Sequence, residues 1–113
     1  MKSVKAIRFH AKALGFIREQ STTIRLQIGE ALRDLQRGLS LGMPLSRPMS
    51  TVALGAHELR VKDAASAVRL FFIVKTTDAI WVFHGFTKKS SKTPVSEIEL
   101  GRQRLREVQD GKA

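Results

Sequence analysis

Between residues 21 and 38 the apolar positions repeat with the spacing of a helix. They follow one another at i, i+4, i+7, i+8 and i+11, and they are Ile24, Ile28, Ala31, Leu32 and Leu35. This spacing places them on one face of an amphipathic helix. Ser21, Thr22 or Thr23 is suited to cap its start, and Gly38 is suited to end it. The pattern therefore predicts a helix that begins near Ser21 and stops at Gly38.

The residues around this helix give weaker patterns. Residues 4–10 (VKAIRFH) carry several apolar side chains and predict a short strand. Residues 11–19 predict a short helix, which would form a helical hairpin with the one that follows. Residues 38–50 (GLSLGMPLSRPMS) contain glycines and prolines but no regular periodicity, and they predict a connecting loop.

The second half of the chain predicts three strands in quick succession. Residues 57–62 (HELRVK) alternate, with Leu59 and Val61 on one face and Glu58, Arg60 and Lys62 on the other. Residues 68–75 (VRLFFIVK) are β-branched and aromatic. Residues 79–86 (AIWVFHGF) are almost continuously apolar and predict a central strand that is covered on both faces. The connections DAASA and TTD are short enough for hairpins, so we expect an antiparallel meander.

A last helix is expected after Thr93, which is suited to be its N-cap, with Pro94 at the first helical position. The order of elements is then strand, two helices, three strands and helix. This order predicts an α+β fold, with the helices packed on one face of a small, mostly antiparallel sheet. With neither repeats nor a linker, the chain is expected to form a single domain over residues 1–113.

The net charge of the chain is the part of its composition that says most about a binding partner. The chain has 20 Lys and Arg against 10 Asp and Glu, a formal net charge of +10, and a pI near 11.0. Such an excess in 113 residues favours a polyanionic partner, such as nucleic acid or an acidic protein. The alternative is a basic surface that serves only solubility.

The composition also limits the classes of protein. The chain has no cysteine and three scattered histidines, so neither disulfides nor a metal site is expected, and no cofactor is indicated. The basic N-terminus is not followed by a signal-like apolar run, and no stretch approaches the roughly 18 apolar residues of a membrane span. We expect a soluble, cytoplasmic protein that does not bind membranes.

The segment HGFTKKSSKTP (residues 84–94) is the strongest candidate for chemistry, because three lysines follow a buried strand. In a meander these lysines could meet two strand arginines on one side of the sheet, beside the N-terminus of the last helix. The five cations are Arg60, Arg69, Lys88, Lys89 and Lys92. Fixed cations of this kind would suit a phosphodiester whose charge develops in a transition state.

Each of these features also has a simpler interpretation. Arg60 could be a solvated strand residue, and Arg69 could form a partly buried ion pair with Glu58. The lysine cluster could be a solvated loop. His84 is better explained as a hydrogen-bonded core histidine than as a catalytic one, while His57 is expected to be exposed. Residue types and spacing alone support a basic α+β domain associated with nucleic acid.

The sequence resembles a known family over residues 54–106. The stretches ALGAHELRV, VRLFFIV and VFHGFTKKSSKTPVSEIELGRQRL follow the pattern of the phage-derived HigB-like toxins in the RelE/ParE superfamily. The long HGFTKKSSKTP match is specific, whereas ELR by itself is not. The resemblance implies the toxin of a type II toxin–antitoxin pair that cuts mRNA on the ribosome, with a helix-turn-helix antitoxin as the usual partner.

The resemblance also implies roles for individual residues in a metal-independent reaction, in which the ribose 2′-hydroxyl attacks its own phosphate. Arg60 and Arg69 are implied to stabilise the phosphate and the transition state, and Lys88 and Lys89 are candidates for the proton transfers. Contacts with RNA are assigned to His57, Lys62, Phe86 and Lys92. Which lysine would be acid or base is left open.

This sequence departs from the family at two places. Many relatives carry tyrosine beside the second-strand arginine, but here the neighbouring positions are Val68 and Phe72, and the chain has no tyrosine. His57 stands before ELR where a bulky apolar residue is frequent. A catalytically silent member that binds nucleic acid or an antitoxin is therefore the main alternative, and poisoning of gyrase, as in the ParE branch, is a weaker one.

Overall fold

The structure is a computed structural model that describes residues 4–75 and 79–112. Its helices and strands, in chain order, are β1 (Ala6–Phe9), α1 (Ala11–Arg18), α2 (Thr22–Gln36), β2 (Ser46–Pro48), β3 (Ala56–Lys62), β4 (Ala67–Lys75), β5 (Ala79–Thr87) and α3 (Val95–Gln109). The predicted α+β class is confirmed, as are the first strand, the two N-terminal helices and the three strands of the second half of the chain.

The strands form one sheet in the order β1-β5-β4-β3-β2. The predicted meander is confirmed, since β3 pairs antiparallel with β4 and β4 pairs antiparallel with β5. β1 lies parallel to β5 at one edge, which the chain reaches by way of α1 and α2. The TTD connection lies outside the described residues.

The prediction of a loop over residues 38–50 is partly wrong. Ser46–Pro48 pair antiparallel with β3 and form the other edge of the sheet. Three residues are too few to show a period of two, and Pro48, which has no N–H to donate, suits an edge strand. The sequence pattern therefore carried no signal for β2.

The prediction that all helices pack on one face is also wrong. α1 and α2 cover one face, where they pack against Leu59, Leu70 and Val82, among other residues. α3 covers the opposite face, where Leu105 packs with Phe71 and Phe83. Because successive residues of β4 point to opposite faces, its run of buried residues supplies both clusters. We call these the α1–α2 face and the α3 face.

A β-bulge in β5 decides which side chains reach the α3 face. Phe71 pairs with His84 and Phe72 pairs with Val82, so Phe83 is an extra residue in the ladder. Phe83 and His84 consequently both point toward α3. Gly85 then turns toward α1, where a Cβ atom would lie 2.5 Å from Cδ2 of Phe16. Only glycine fits at that position without displacing its neighbours.

The ends of α2 agree with the sequence. The Ser21 hydroxyl accepts a hydrogen bond from the Ile24 N–H at 3.2 Å, as an N-cap residue does. Gly38 follows the helix with a φ of 85°, a left-handed conformation that favours glycine.

The predicted start of α3 is wrong by one residue. Pro94 is the N-cap and Val95 is the first helical residue. Thr93 does not cap the helix, because its hydroxyl donates instead to Oε2 of Glu58 at 2.9 Å. This contact joins the start of α3 to the middle of β3.

None of the helices in the described part of the chain combines the length and the apolar character that a bilayer span requires.

Candidate active site

A cleft of about 310 Å³ opens on the α3 face, where β3, β4 and the end of β5 meet the segment that leads into α3. Six of the residues that line it are cationic: Arg47, Arg60, Arg69, Lys88, Lys89 and Lys92. Two carboxylates, Glu58 and Glu97, also line it. The excess of positive charge fits a polyanion better than a neutral ligand.

Glu58 is the buried centre of this cleft, with 2% of its surface exposed. Its Oε1 lies 3.6 Å from Nε of Arg69 and 3.9 Å from Nε of Arg60. Its Oε2 accepts the hydrogen bond from Thr93. Both oxygens are therefore engaged, and the carboxylate holds the two guanidinium groups together at the floor of the cleft.

Arg60 and Arg69 face each other across the β3–β4 ladder. Burial lowers the pKa of Arg69, the charge of Arg60 lowers it further, and Glu58 raises it. A guanidinium group nevertheless stays protonated in proteins, so the pair keeps both charges. Two like charges held side by side are costly, and a phosphate between them would relieve that repulsion. The sequence left open whether Arg69 forms an ion pair with Glu58 or points into a cleft, and it does both.

The three lysines lie on the segment that forms the rim of the cleft. The Lys88 N–H donates to the Ala67 carbonyl at 2.8 Å and fixes the first residue after β5. The Ser90 hydroxyl donates to the Lys92 carbonyl at 2.8 Å, which closes a turn between the lysines. All three side chains border the same opening as the arginines.

His84 lies behind the cleft, 2% exposed, and it is hydrogen-bonded as the sequence predicted. Its Nε2 is 2.7 Å from Oε1 of Glu97, and its Nδ1 is 2.7 Å from Nη1 of Arg104. Burial lowers the pKa of His84, the hydrogen bond to Glu97 raises it, and the charge of Arg104 lowers it.

The other residues that were assigned to RNA contacts are placed differently. Lys62 lies beside the cleft, in a neighbouring depression that Arg60, Arg69 and Lys88 also line. Phe86 borders the cleft but is 7% exposed and packs edge-on against Phe71. His57 is not brought to the cleft, since it stacks on Phe72 on the α1–α2 face.

Sequence reasoning missed three residues that line the cleft or hold it. Arg47 lies on β2, which had been predicted as loop, and it pairs in register with Glu58. Glu58 is predicted on the polar face of β3 and as a candidate ion-pair partner of Arg69, but its place at the centre of the cleft is not predicted. Glu97 lies within the stretch that carries the family resemblance, but no role is predicted for it. For Glu58 the signal was available, because a glutamate two residues before an arginine shares its strand face.

In the described ranges, 4–75 and 79–112, no group of three or more His, Cys, Asp or Glu side chains could hold a metal ion. The cleft is lined by fixed cations and two carboxylates, and a buried imidazole lies behind it.

Comparisons with known proteins place this fold and sequence in a class. Residues 15–106 match the family model "Phage derived protein Gp49-like (DUF891)". Among solved structures, the chain is similar to a double arginine-to-alanine mutant of the Escherichia coli toxin RelE in its free state. The identity is 18%, the TM-score is 0.52, and the match covers 93% of this chain and 98% of that one. No curated protein matches the chain significantly.

The architecture is thus that of RelE, a five-stranded, mostly antiparallel sheet with three helices. Since the family model spans most of the chain, the protein belongs to the phage-derived Gp49-like family. The resemblance found in the ELR strand and the HGFTKKSSKTP segment is confirmed at this level.

Proposed function

We propose that this protein is the toxin of a type II toxin–antitoxin pair and that it cleaves mRNA on the ribosome. Membership of the Gp49-like family and the RelE fold support the toxin role. One observation carries the endonuclease role: Arg60 and Arg69 are clamped by a single buried carboxylate at the floor of a cleft whose rim holds three lysines.

The arrangement suits cleavage by the ribose 2′-hydroxyl. In that reaction the 2′-oxygen attacks the adjacent phosphorus and the 5′-oxygen leaves, so negative charge grows on the phosphate oxygens. Arg60 and Arg69 would bind those oxygens, and their guanidinium groups are already oriented by Glu58 before substrate arrives. Preorganised charge of this kind stabilises a transition state without further rearrangement. Lys88 and Lys89 would take part in the proton transfers.

Dependence on the ribosome follows from the same composition of the cleft. Permanent cations stabilise charge more readily than they move protons, so the rate depends strongly on bringing the 2′-oxygen, phosphorus and leaving oxygen into line. Free RNA rarely adopts that geometry. Positioning can contribute several kcal/mol, and we propose that mRNA held by the ribosome supplies it.

The partner that neutralises such a toxin would be an antitoxin encoded beside it, of the helix-turn-helix kind that the family resemblance implies. The excess of cations on this chain favours an acidic binding segment in that partner. Toxin, ribosome and antitoxin would meet in the cytoplasm, and the reaction as proposed uses no cofactor.

Induced expression in a bacterial host tests the proposal, with primer extension on a cellular mRNA as the readout. We expect growth arrest, new mRNA ends within translated regions, and rescue by the neighbouring open reading frame. The matched control is a variant with both Lys88 and Lys89 changed to Ala, which should express to the same level and leave growth and mRNA ends unchanged. Equal cutting of naked and translated RNA would contradict the role of the ribosome.

A second candidate function is favoured by one feature of the sequence. The chain has no tyrosine, a residue that many relatives carry beside the arginine of β4. A silent member would use the same cleft to bind nucleic acid or antitoxin without cutting. Growth without arrest, together with retained RNA binding by the purified protein, would decide for this alternative.

A further inference from the structure

Two histidine–glutamate pairs of the same build connect α3 to the rest of the molecule. In one, Nε2 of His84 is 2.7 Å from Oε1 of Glu97, and in the other, Nε2 of His10 is 2.7 Å from Oε1 of Glu107. Both histidines are at least 95% buried, and both glutamates are partly exposed. The two pairs differ in what the glutamate faces.

The hydrogen-bond partners fix the state of His84. The guanidinium group of Arg104 can only donate, so Nδ1 of His84 must accept and carry no proton. The proton is then on Nε2, which donates to Glu97. The chain of hydrogen bonds runs from Arg104 through a neutral imidazole to the carboxylate, and it orients that carboxylate from behind. His10 is arranged alike, since its Nδ1 accepts from the Lys12 N–H at 3.1 Å.

Glu97 presents its carboxylate to the cationic cleft, whereas Glu107 is not among the residues that line it. The hydrogen bond from His84 occupies Oε1, and within the described residues no side-chain hydrogen bond is made to Oε2. The side chain of Glu97 is 29% exposed. Its second oxygen is therefore open to a ligand in the cleft.

Glu58, the other carboxylate there, cannot do the same. It is 2% exposed, and both of its oxygens are engaged by the arginines and Thr93. A carboxylate is deprotonated at neutral pH and can accept a proton, whereas an ammonium or guanidinium group can only donate one. Among the charged groups that line the cleft, Glu97 is the one suited to act as a base.

We propose that Glu97 is the general base of the reaction and that His84 and Arg104 hold it in place; this rests on the proposed endonuclease function. Its Oε2 takes the proton of the 2′-hydroxyl while the bond from the 2′-oxygen to phosphorus forms. The bond from phosphorus to the 5′-oxygen breaks, and that oxygen takes a proton from the ammonium group of Lys88 or Lys89. The products are a 2′,3′-cyclic phosphate and a 5′-hydroxyl.

The test is single-turnover cleavage of mRNA by purified protein on programmed ribosomes, measured as a function of pH, beside binding to the same complexes. Glu97→Gln keeps an acceptor for His84 but removes the proton-accepting charge. We expect the rate to fall at least a hundredfold, the usual scale for loss of a general base, and the rise of rate with pH to disappear. Binding should be equal or tighter, because a negative charge has left the cleft.

Glu107→Gln is the matched control, since it removes the same charge from the same kind of pair on the same helix. Its rate should stay within twofold of the wild type. Glu97→Asp keeps a carboxylate and should retain part of the rate that Glu97→Gln loses. If circular dichroism shows that Glu97→Gln does not fold, the rate of Glu97→Asp tests the assignment instead.

The outcomes separate the two proposals. A wild-type protein that arrests neither growth nor translation and cuts nothing overturns the endonuclease function and this assignment with it. An active wild type with a Glu97→Gln variant of equal rate overturns the assignment alone. Equal losses in Glu97→Gln and Glu107→Gln would show that both pairs serve only to hold α3.

Discussion

The two faces of the sheet are built from the same strands but differ in chemistry. On the α1–α2 face, α2 contributes Ile24, Ile28 and Leu32 to a cluster of apolar side chains. The α3 face is apolar at one end and, at the other, holds a buried glutamate, two arginines and a buried histidine. One face can thus be understood from apolar packing alone, whereas the other keeps charged groups out of water and compensates them with specific partners.

This contrast shows how the fold supports a polar site. A charged group is tolerated in an interior only with close partners, and the α3 face supplies them: Glu58 for the arginines, Glu97 for His84. The α1–α2 face has no such requirement. Its apolar packing can stabilise the fold and offset the cost of holding charged groups in fixed positions on the α3 face. Substitutions on the two faces should accordingly separate stability from activity.

The largest effect is expected on stability, from the apolar face. Ile24 is fully buried in α2, and Ile24→Ala removes buried methyl groups and leaves a cavity. We expect a loss of about 2–5 kcal/mol in the free energy of unfolding, measured by urea denaturation. Cleavage per folded molecule should not change. A variant that keeps its stability, or that loses cleavage while still folded, would contradict the separation of the two faces.

Arg69→Ala should show the opposite behaviour. The guanidinium group binds the phosphate in the proposed mechanism, so its removal should lower the cleavage rate at least tenfold to a hundredfold, about 1.4–2.7 kcal/mol of transition-state stabilisation. The circular dichroism spectrum should stay that of the wild type, because Arg60 and Thr93 still engage Glu58. Single-turnover kinetics on translated mRNA measure the effect, and a wild-type rate would remove Arg69 from the site.

The same contrast explains what could be predicted from the sequence. Periodicity revealed α2 and the strands of the meander, because their apolar spacing reports directly on burial. It could not assign the helices to faces, since β4 is buried on both sides and fits either arrangement. β2 was too short to show a pattern, and the bulge at Phe83, which turns His84 toward α3, depends on pairing between strands rather than on spacing.

Part of the candidate site could also be predicted from the sequence. The arginines and lysines are rare enough in such strands and turns to be noticed, and the structure brings all five together. Glu97 and Arg47 were not recognised, because an acidic residue in the first turn of a helix and an arginine in an irregular segment are common in any protein. Their roles depend on contacts with residues far away in the chain. The single-domain organisation stays a prediction.

A third prediction uses the buried histidine of the α3 face. Burial holds the pKa of His84 below its ordinary value of 6.5, which the unfolded chain regains. Below that value the unfolded chain binds a proton that the folded protein does not, so stability is lost as the pH falls from about 6.5 toward the lower, folded pKa. The slope for one such proton is at most about 1.4 kcal/mol per pH unit.

Urea denaturation between pH 5 and 7 measures this slope, and His84→Gln should flatten it. The groups that bear on His84 are Glu97 and Arg104 from α3 and His10 from the segment before α1. Asp63 and Glu107, whose pKa values are lowered, titrate below this range and do not contribute to it. An identical slope in the variant would assign the pH dependence to other groups.

The smallest effect is expected at the rim of the cleft. Lys92 is exposed and lines the opening, so it would contact the RNA backbone, where a cation adds affinity but no sequence information. Lys92→Ala should weaken binding a few-fold and lower the slope of log affinity against log salt by about one, as expected when one phosphate contact is lost. Its cleavage pattern should match the wild type.

Lys5→Ala is the control, because it removes the same charge from the α1–α2 side, where Lys5 borders a groove with His57 and Phe72. Titrations at several salt concentrations should leave the Lys5 variant with the wild-type slope. Equal losses of affinity in both variants would mean that RNA binding depends on net charge alone and that the α3 face is not the RNA-binding surface.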